Sequence, residues 1–379
     1  MNKKIANPFL CQGYESPDYF CDRVSETEQL SAHLRNGRNV TLISPRRIGK
    51  TGLIRNTFYH LEKQNKDAIC LYIDIFPTKC QAEMVRMLAN TVINEVMAKN
   101  KSLKKKALEF FSAWKPVFSL DPLTGSPTLS INIEPKQSEL TLKGVFDYLA
   151  SMDKDVFIAI DEFQQITEYP ETGTEALLRS HIQFAQHIHF VFSGSKKHIM
   201  AEMFGSSQRP FYQSTETMGL LPLDEDIYYD FANRFFLEKQ GVLDRQIFHE
   251  LYQRFDGYTW YIQSVLNRLY EKNRKVTTSD QLLDAIRLVV LGKATQYENM
   301  VQFLTSNQFS LLKAIARERI VAQPTSQEFI QKHNLSSASS VQTAMETLID
   351  RELVYALPDG YIIYDRFFDL WLQRFPNIH

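Results

Sequence analysis

No stretch of about 18 consecutive apolar residues occurs anywhere in the 379-residue chain, the length a helix needs to cross a bilayer. The start, Met-Asn-Lys-Lys and then Asn7-Pro8, has no apolar segment behind its charges, so neither a membrane span nor a secretion signal is expected. Cysteine is scarce: Cys11, Cys21, Cys70 and Cys80 form no repeated pair with metal-ligand spacing, and no histidine cluster completes one. They read as reduced thiols of a cytoplasmic protein. A dominant sign of charge is missing too, since 43 Lys and Arg face 44 Asp and Glu for a formal net charge of −1. No global field draws nucleic acid or an acidic membrane, and any such contact has to come from a local patch. Core material is plentiful: 44% hydrophobic residues, in a chain long enough for two or three domains, predict a compact multidomain protein.

One stretch organises the rest. Residues 39–43, Asn-Val-Thr-Leu-Ile, are rich in β-branched side chains and read as a buried strand, which breaks at Ser44-Pro45 into a loop through Arg46, Arg47, Ile48, Gly49, Lys50 and Thr51. Leu53, Ile54, Phe58 and Leu61 then fall at helical spacing. Strand, loop and helix follow in the order of a phosphate-binding loop, whose backbone N–H groups converge on an anion at a helix N-terminus. Lys50 would reach the β- and γ-phosphates of ATP or ADP, and Thr51 would offer its hydroxyl to Mg²⁺. Ser44 stands where this motif usually has glycine, and the competing reading is an ordinary strand-to-helix turn.

A second motif weighs against that turn. Residues 156–160, Val-Phe-Ile-Ala-Ile, make a buried strand that ends in Asp161-Glu162, two adjacent acids whose burial is costly unless a cation neutralises them. In a parallel sheet they lie beside the loop, where Asp161 would hold Mg²⁺ through water and Glu162 would orient and deprotonate the attacking water. Residues 68–75 predict a second strand, with Asp74 either at the crevice edge or capping the strand end. Residues 187–192 predict another, followed by Ser193-Gly194-Ser195, where Ser195 either senses the γ-phosphate or sits in a turn. Arg209 either reaches that phosphate or makes a surface ion pair. Residues 217–221 close the set as a fifth strand. Phe20 and Arg23, before a helix over 26–34, either pack the lead-in on the sheet or contact a base.

Helical spacing runs from Gln81 to Phe111, and the cluster Lys99, Lys101, Lys104, Lys105 and Lys106 reads as its solvated face. An insertion is expected over about 99–138, with alternating Leu129, Ile131 and Ile133 suggesting a hairpin. Past Pro222, four helices over 226–239, 244–255, 260–273 and 280–294 form a helical domain of about 223–300. Three more helices and a hairpin around Pro358-Asp359-Gly360 make residues 301–379 a winged helix-turn-helix.

These residues resemble the archaeal-type ATPases of the STAND class, relatives of the AAA+ proteins. The likeness is carried by Pro45 to Thr51, the Phe20–Arg23 lead-in with Glu26, Asp161-Glu162, Ser193-Gly194-Ser195, Gly257-Tyr258-Thr259-Trp260-Tyr261 and Asp365-Arg366-Phe367-Phe368-Asp369-Leu370-Trp371. It implies an α/β fold: a P-loop NTPase core with a parallel sheet over residues 1–222, then a helical lid and the winged module. It implies a slow, regulatory ATPase switch, with Phe20 and Arg23 near the adenine and Gly257 to Trp260 in the lid. Thr259 departs from the pattern, which often has proline there. A protein partner or self-association fits such a switch. The alternative is a nucleotide-responsive DNA-binding protein, but the candidate recognition helix over 337–351 has no Lys or Arg before its end and carries Glu346 and Asp350.

Overall fold

The computed structural model describes residues 5–99, 117–120, 127–130 and 137–374. They group into two compact units, Gln12–Leu223 on the one hand and Met1–Cys11 with Asp224–His379 on the other.

The first unit carries strands β1 (Val40–Ile43), β2 (Ile69–Asp74), β3 (Val117–Leu120), β4 (Pro127–Ser130), β5 (Val156–Asp161), β6 (Ile188–Gly194) and β7 (Glu216–Met218). Five of them form one sheet in the order β2-β5-β6-β1-β7, and each neighbouring pair is parallel. Parallel strands need crossovers that cover both faces, which is why every residue of β5 is buried. The register sets Asp74 opposite Asp161 and Ile43 opposite Gly194. The loops leaving β1, β5 and β6 therefore open at one edge, where α/β sheets bind ligands. The loop helix, Lys50–Gln64, buries Leu53, Ile54, Phe58 and Leu61, the apolar stripe read from the sequence. Phe163, just after the acid pair, packs with Phe192 and Phe211 at ring-centroid distances of 4.6–5.5 Å.

Several expectations change. β7 stops at Met218 instead of running to Leu221, because the amide of Leu220 turns to the Ser44 hydroxyl. Periodicity passed over the 3-10 turn Phe163–Glu168 and the short helices Thr174–Ile182, Lys197–Gly205 and Ala294–Gln302, which have too few turns to register a period. The helix from Gln81 is described to Lys99, and β3 and β4 pair antiparallel as the hairpin. The remaining lysines of the cluster, Ile131, Ile133 and Phe375 lie outside the described residues.

In the second unit, helix starts follow side-chain caps. Asp224 and Asp244 accept from first-turn amides of Glu225–Glu238 and Arg245–Arg254, and Thr278 and Thr305 form capping boxes with Gln281 and Gln308. Phe9 is fully buried with its ring 5.5–5.9 Å from Phe235, Phe236 and Tyr270, so the first residues group with this unit although the sequence reading joined them to 12–222. Strands β8 (Val242–Leu243) and β9 (Lys275–Val276) pair in parallel. Helices Ser306–Glu318, Gln327–Lys332 and Ala338–Asp350 precede the antiparallel hairpin of β10 (Val354–Leu357) and β11 (Gly360–Ile363), the winged arrangement. A last helix, Arg366–Arg374, places Phe367 with its ring 5.0–5.6 Å from Phe255, Trp260 and Tyr261. The aromatic tail thus fastens the winged part to the helical segment. No described helix is long and apolar enough to cross a membrane.

Candidate nucleotide site

The loop between β1 and its helix is shaped by backbone conformation. Gly49 has φ +104°, which only glycine takes without strain, and Arg47 also has a positive φ of 69°. No side chain caps the loop helix, so its first N–H groups are left for a ligand. Ser44 explains its own departure from glycine. Its buried hydroxyl donates to Ile43 O at 2.7 Å and accepts from Leu220 N at 2.6 Å, clipping the start of the loop to the chain beyond β7.

Lys50 is only 6% exposed. Its Nζ donates to Ser44 O at 2.8 Å and Pro45 O at 3.0 Å, and it has no ion pair among the described residues. Burial pushes its pKa down, with the charges of Glu162 and Asp161 opposing. A buried ammonium held by neutral carbonyls is unfavourable, and a polyanion at the loop would offset that cost. The loop residues thus fit a nucleotide phosphate.

The acids stand next to it. Asp161 Oδ2 accepts from Thr51 Oγ1 at 3.0 Å and from the Tyr72 hydroxyl at 2.5 Å, while Oδ1 accepts from the Glu162 amide at 3.0 Å. A hydroxyl and a carboxylate meeting at the mouth of a phosphate loop are hard oxygen ligands of the kind Mg²⁺ takes. Glu162 leaves the strand with φ 53°, a strained conformation of the sort that gathers at functional sites. Its Oε2 accepts from Ser195 Oγ at 2.8 Å and from Gln164 Nε2, and Ser195 Oγ in turn accepts from Arg46 Nε at 3.2 Å. Loop, acid pair and the end of β6 are linked by side chains.

The other expected residues fall as follows. Arg23, 3% exposed, pairs with Glu26 at 2.6 Å and donates to Ile48 O at 3.3 Å, bracing the back of the loop. The Phe20 ring lies on Gly52, where an added Cβ would come within 2.8 Å of it. Both therefore pack the lead-in against the loop and its helix. Asp74 Oδ1 accepts from Phe76 N at 3.0 Å, the strand-end cap. Arg209 makes ion pairs with Glu175 and, at 3.6 Å, with Glu202. Sequence reasoning missed Tyr72 and Gln164. Tyr72 had one signal: in β2 the buried residues are Ile69, Leu71 and Ile73, so Tyr72 and Asp74 share the other side of a strand next to the acid-bearing one.

Comparison with known proteins agrees with this geometry. The family profile described as "ATPase domain predominantly from Archaea" matches residues 20–265, and one described as "Probable winged helix domain" matches residues 295–374. The curated proteins contain no match. Among solved structures, a Walker-type ATPase of Pyrococcus abyssi aligns over 96% of this chain and 99% of its own, with 16% identity and a TM-score of 0.66. The ORC2 protein of Aeropyrum pernix, solved as ADPNP–ADP complexes, aligns over 97% of each chain with 16% identity and a TM-score of 0.58. The ORC1 protein of the same organism, solved in complex with DNA, aligns over 97% of this chain and 96% of its own with 13% identity and a TM-score of 0.55. At these identities the likeness shows the fold, a parallel-sheet P-loop ATPase core with a C-terminal winged helix domain. The ATPase match spans well over half the chain and contains the phosphate loop and both acids, so the chain belongs to the family of ATPase domains found predominantly in Archaea.

Proposed function

We propose that this chain is a STAND-class switch that binds ATP and ADP with Mg²⁺, hydrolyses ATP slowly, and uses its nucleotide state to set the arrangement of the helical and winged segments. The observation that best supports this is the 3.0 Å contact of Thr51 Oγ1 with Asp161 Oδ2, which joins the end of the loop to the end of β5. When bound, Mg²⁺ supplies charge neutralisation on the phosphate oxygens. Backbone amides from Ser44 to Thr51 cradle the phosphates, and Lys50 presents its ammonium to them. Thr51 and Asp161 hold the metal, Asp161 through water. Glu162 accepts the proton of the attacking water, and Ser195 and Gln164 keep its carboxylate in place meanwhile. Arg46 reports on the site through Ser195. Phe20 and Arg23 flank the base side of the loop helix.

The DNA-binding alternative draws support from the winged arrangement and from the DNA complex of Aeropyrum pernix ORC1. Against it, the exposed residues of helix Ala338–Asp350 include Ser339, Gln342, Thr343, Glu346 and Asp350, with no base to neutralise phosphates. The winged segment is therefore assigned to packing and to a protein partner. Fluorescent ATP and ADP titrations, run with size-exclusion chromatography in each nucleotide, test the switch. Saturable Mg²⁺-dependent binding with a different elution in ATP and ADP is expected. Absence of nucleotide binding, or identical behaviour in both nucleotides, refutes it.

A further inference from the structure

We propose that Tyr72 is a positioning residue for the metal at this site, its hydroxyl aiming the Asp161 carboxylate at the divalent cation. The inference rests on the reading that Thr51 and Asp161 hold Mg²⁺.

Tyr72 lies on β2, opposite Ala159 of β5, two residues short of Asp161. Its long side chain runs forward along the strand direction and its hydroxyl donates to Asp161 Oδ2 at 2.5 Å. The same oxygen accepts from Thr51 at 3.0 Å, and Oδ1 accepts from the Glu162 amide at 3.0 Å. A carboxylate has about four lone-pair positions. With these three occupied, one acceptor direction remains, on Oδ1, for a water of the metal shell. Thr51 spends its proton on Asp161 and so keeps its oxygen lone pairs for the cation. Without Tyr72, the carboxylate has one hinge fewer and a second competing acceptor direction.

The ring is itself gripped. The Arg55 guanidinium sits over it at 4.1 Å from the centroid. Arg55 follows Thr51 by one helical turn on the loop helix, on the same face, so phosphate loop, ring and acid form one chain of contacts. A cation on the ring face draws electron density from the phenol and strengthens it as a donor. An ordinary phenol is protonated at neutral pH and a carboxylate oxygen can only accept from it, so Tyr72 is the donor of this pair. A tyrosine kept only for packing would need neither a carboxylate partner nor a guanidinium on its face.

The test uses the full-length protein and its Tyr72→Phe variant, with fluorescent ATP titrated by Mg²⁺ and, separately, bound in EDTA. The Mg²⁺ concentration for half-maximal binding should rise about tenfold, as loss of an outer-shell partner does elsewhere, while metal-free nucleotide affinity and the unfolding midpoint stay unchanged. Arg55→Gln should shift the Mg²⁺ requirement in the same direction by less, and add nothing in the Tyr72→Phe background. It supplies the same reading if Tyr72→Phe does not fold. An unaltered Mg²⁺ requirement in Tyr72→Phe, or additive effects of the two variants, overturns the role of Tyr72 alone. A wild-type protein whose nucleotide binding ignores Mg²⁺ overturns this inference together with the metal site it depends on.

Discussion

Asp161 at the crevice of the sheet and Asp369 in the last helix of the winged segment are both largely inside the protein, and they are treated in opposite ways. Asp161 has hydrogen-bond donors on both oxygens, two of them side chains from other elements. Asp369 has one side-chain donor, Gln373, at 3.1 Å on Oδ2, and its Oδ1 is buried without a partner among the described residues. Burial raises the Asp369 pKa to about 6, against the lowering effects of Gln373, Arg366 and Arg319. At the crevice, polar groups from several elements hold an acid in one orientation. Asp369 instead bears the cost of packing Phe368 and Trp371 into the core, since it shares their helix. The helix Ala338–Asp350 repeats the contrast, because Gln342 and Thr343 are exposed and bind within their own helix, Gln342 to Glu346 and Thr343 to Ser339 O.

The contrast breaks most visibly at Glu162. Glu162→Gln keeps the shape of the side chain and removes the proton acceptor, so phosphate release should fall by about 10²–10⁴-fold while ATP still binds. Wild-type hydrolysis in this variant would mean that the acid pair is misassigned. Lys50→Ala should weaken binding of Mg²⁺-ATP on the order of a hundredfold, the loss of two charge-assisted hydrogen bonds, as read by fluorescent nucleotide titration. Affinity equal to wild type would remove Lys50 from the site.

Asp369 sharpens the comparison from the other side. Its folded pKa, about 6, lies above the ordinary carboxylate value, so the folded state holds the extra proton between about pH 4 and 6. Its stabilising contribution is complete below the unfolded pKa and is lost as pH rises through 6. Asp369→Asn should therefore raise the unfolding free energy at pH 7.5 by about 1–3 kcal/mol and leave it unchanged near pH 4, measured by urea unfolding at both pH values. The smallest effect is expected on the helix Ala338–Asp350. Full-length protein should bind duplex DNA no tighter than about 10⁻⁶ M at physiological salt, and Gln342→Ala should not alter it. Submicromolar binding with a steep salt slope, lost in Gln342→Ala, would move the function to the winged face.

Most of the architecture was legible as local pattern. The β-branched run before Ser44, the stripe Leu53, Ile54, Phe58 and Leu61, and the five apolar residues before Asp161 each carry their structure within a few residues. The short helices after Glu162 were not legible, because nine residues or fewer hold at most two or three turns and their burial depends on neighbours. In the candidate site, Lys50 and Thr51 were singled out from the loop before a helix, and Asp161, Glu162 and Ser195 from their places at or just after strand ends. Tyr72 and Gln164 were not, since neither residue type signals chemistry until the strand register shows what lies next to it. Arg209 had two readings, a phosphate contact and an ion pair, and its partner Glu175 could not be named from the sequence.

By itself the sequence determined that a strand, a glycine-containing loop and a helix follow one another, that two acids end another strand, and that helices replace strands beyond Pro222. These are consequences of side-chain period and backbone freedom, which act over a turn or a pleat. Tertiary structure alone decided that Ser44 clips Leu220, that Tyr72 and Thr51 share one oxygen of Asp161, and that Ser195 and Gln164 share one of Glu162. Hydrogen bonds form only within about 3 Å, and partners far apart in the chain reach that distance through the order and register of the sheet, which no local pattern encodes.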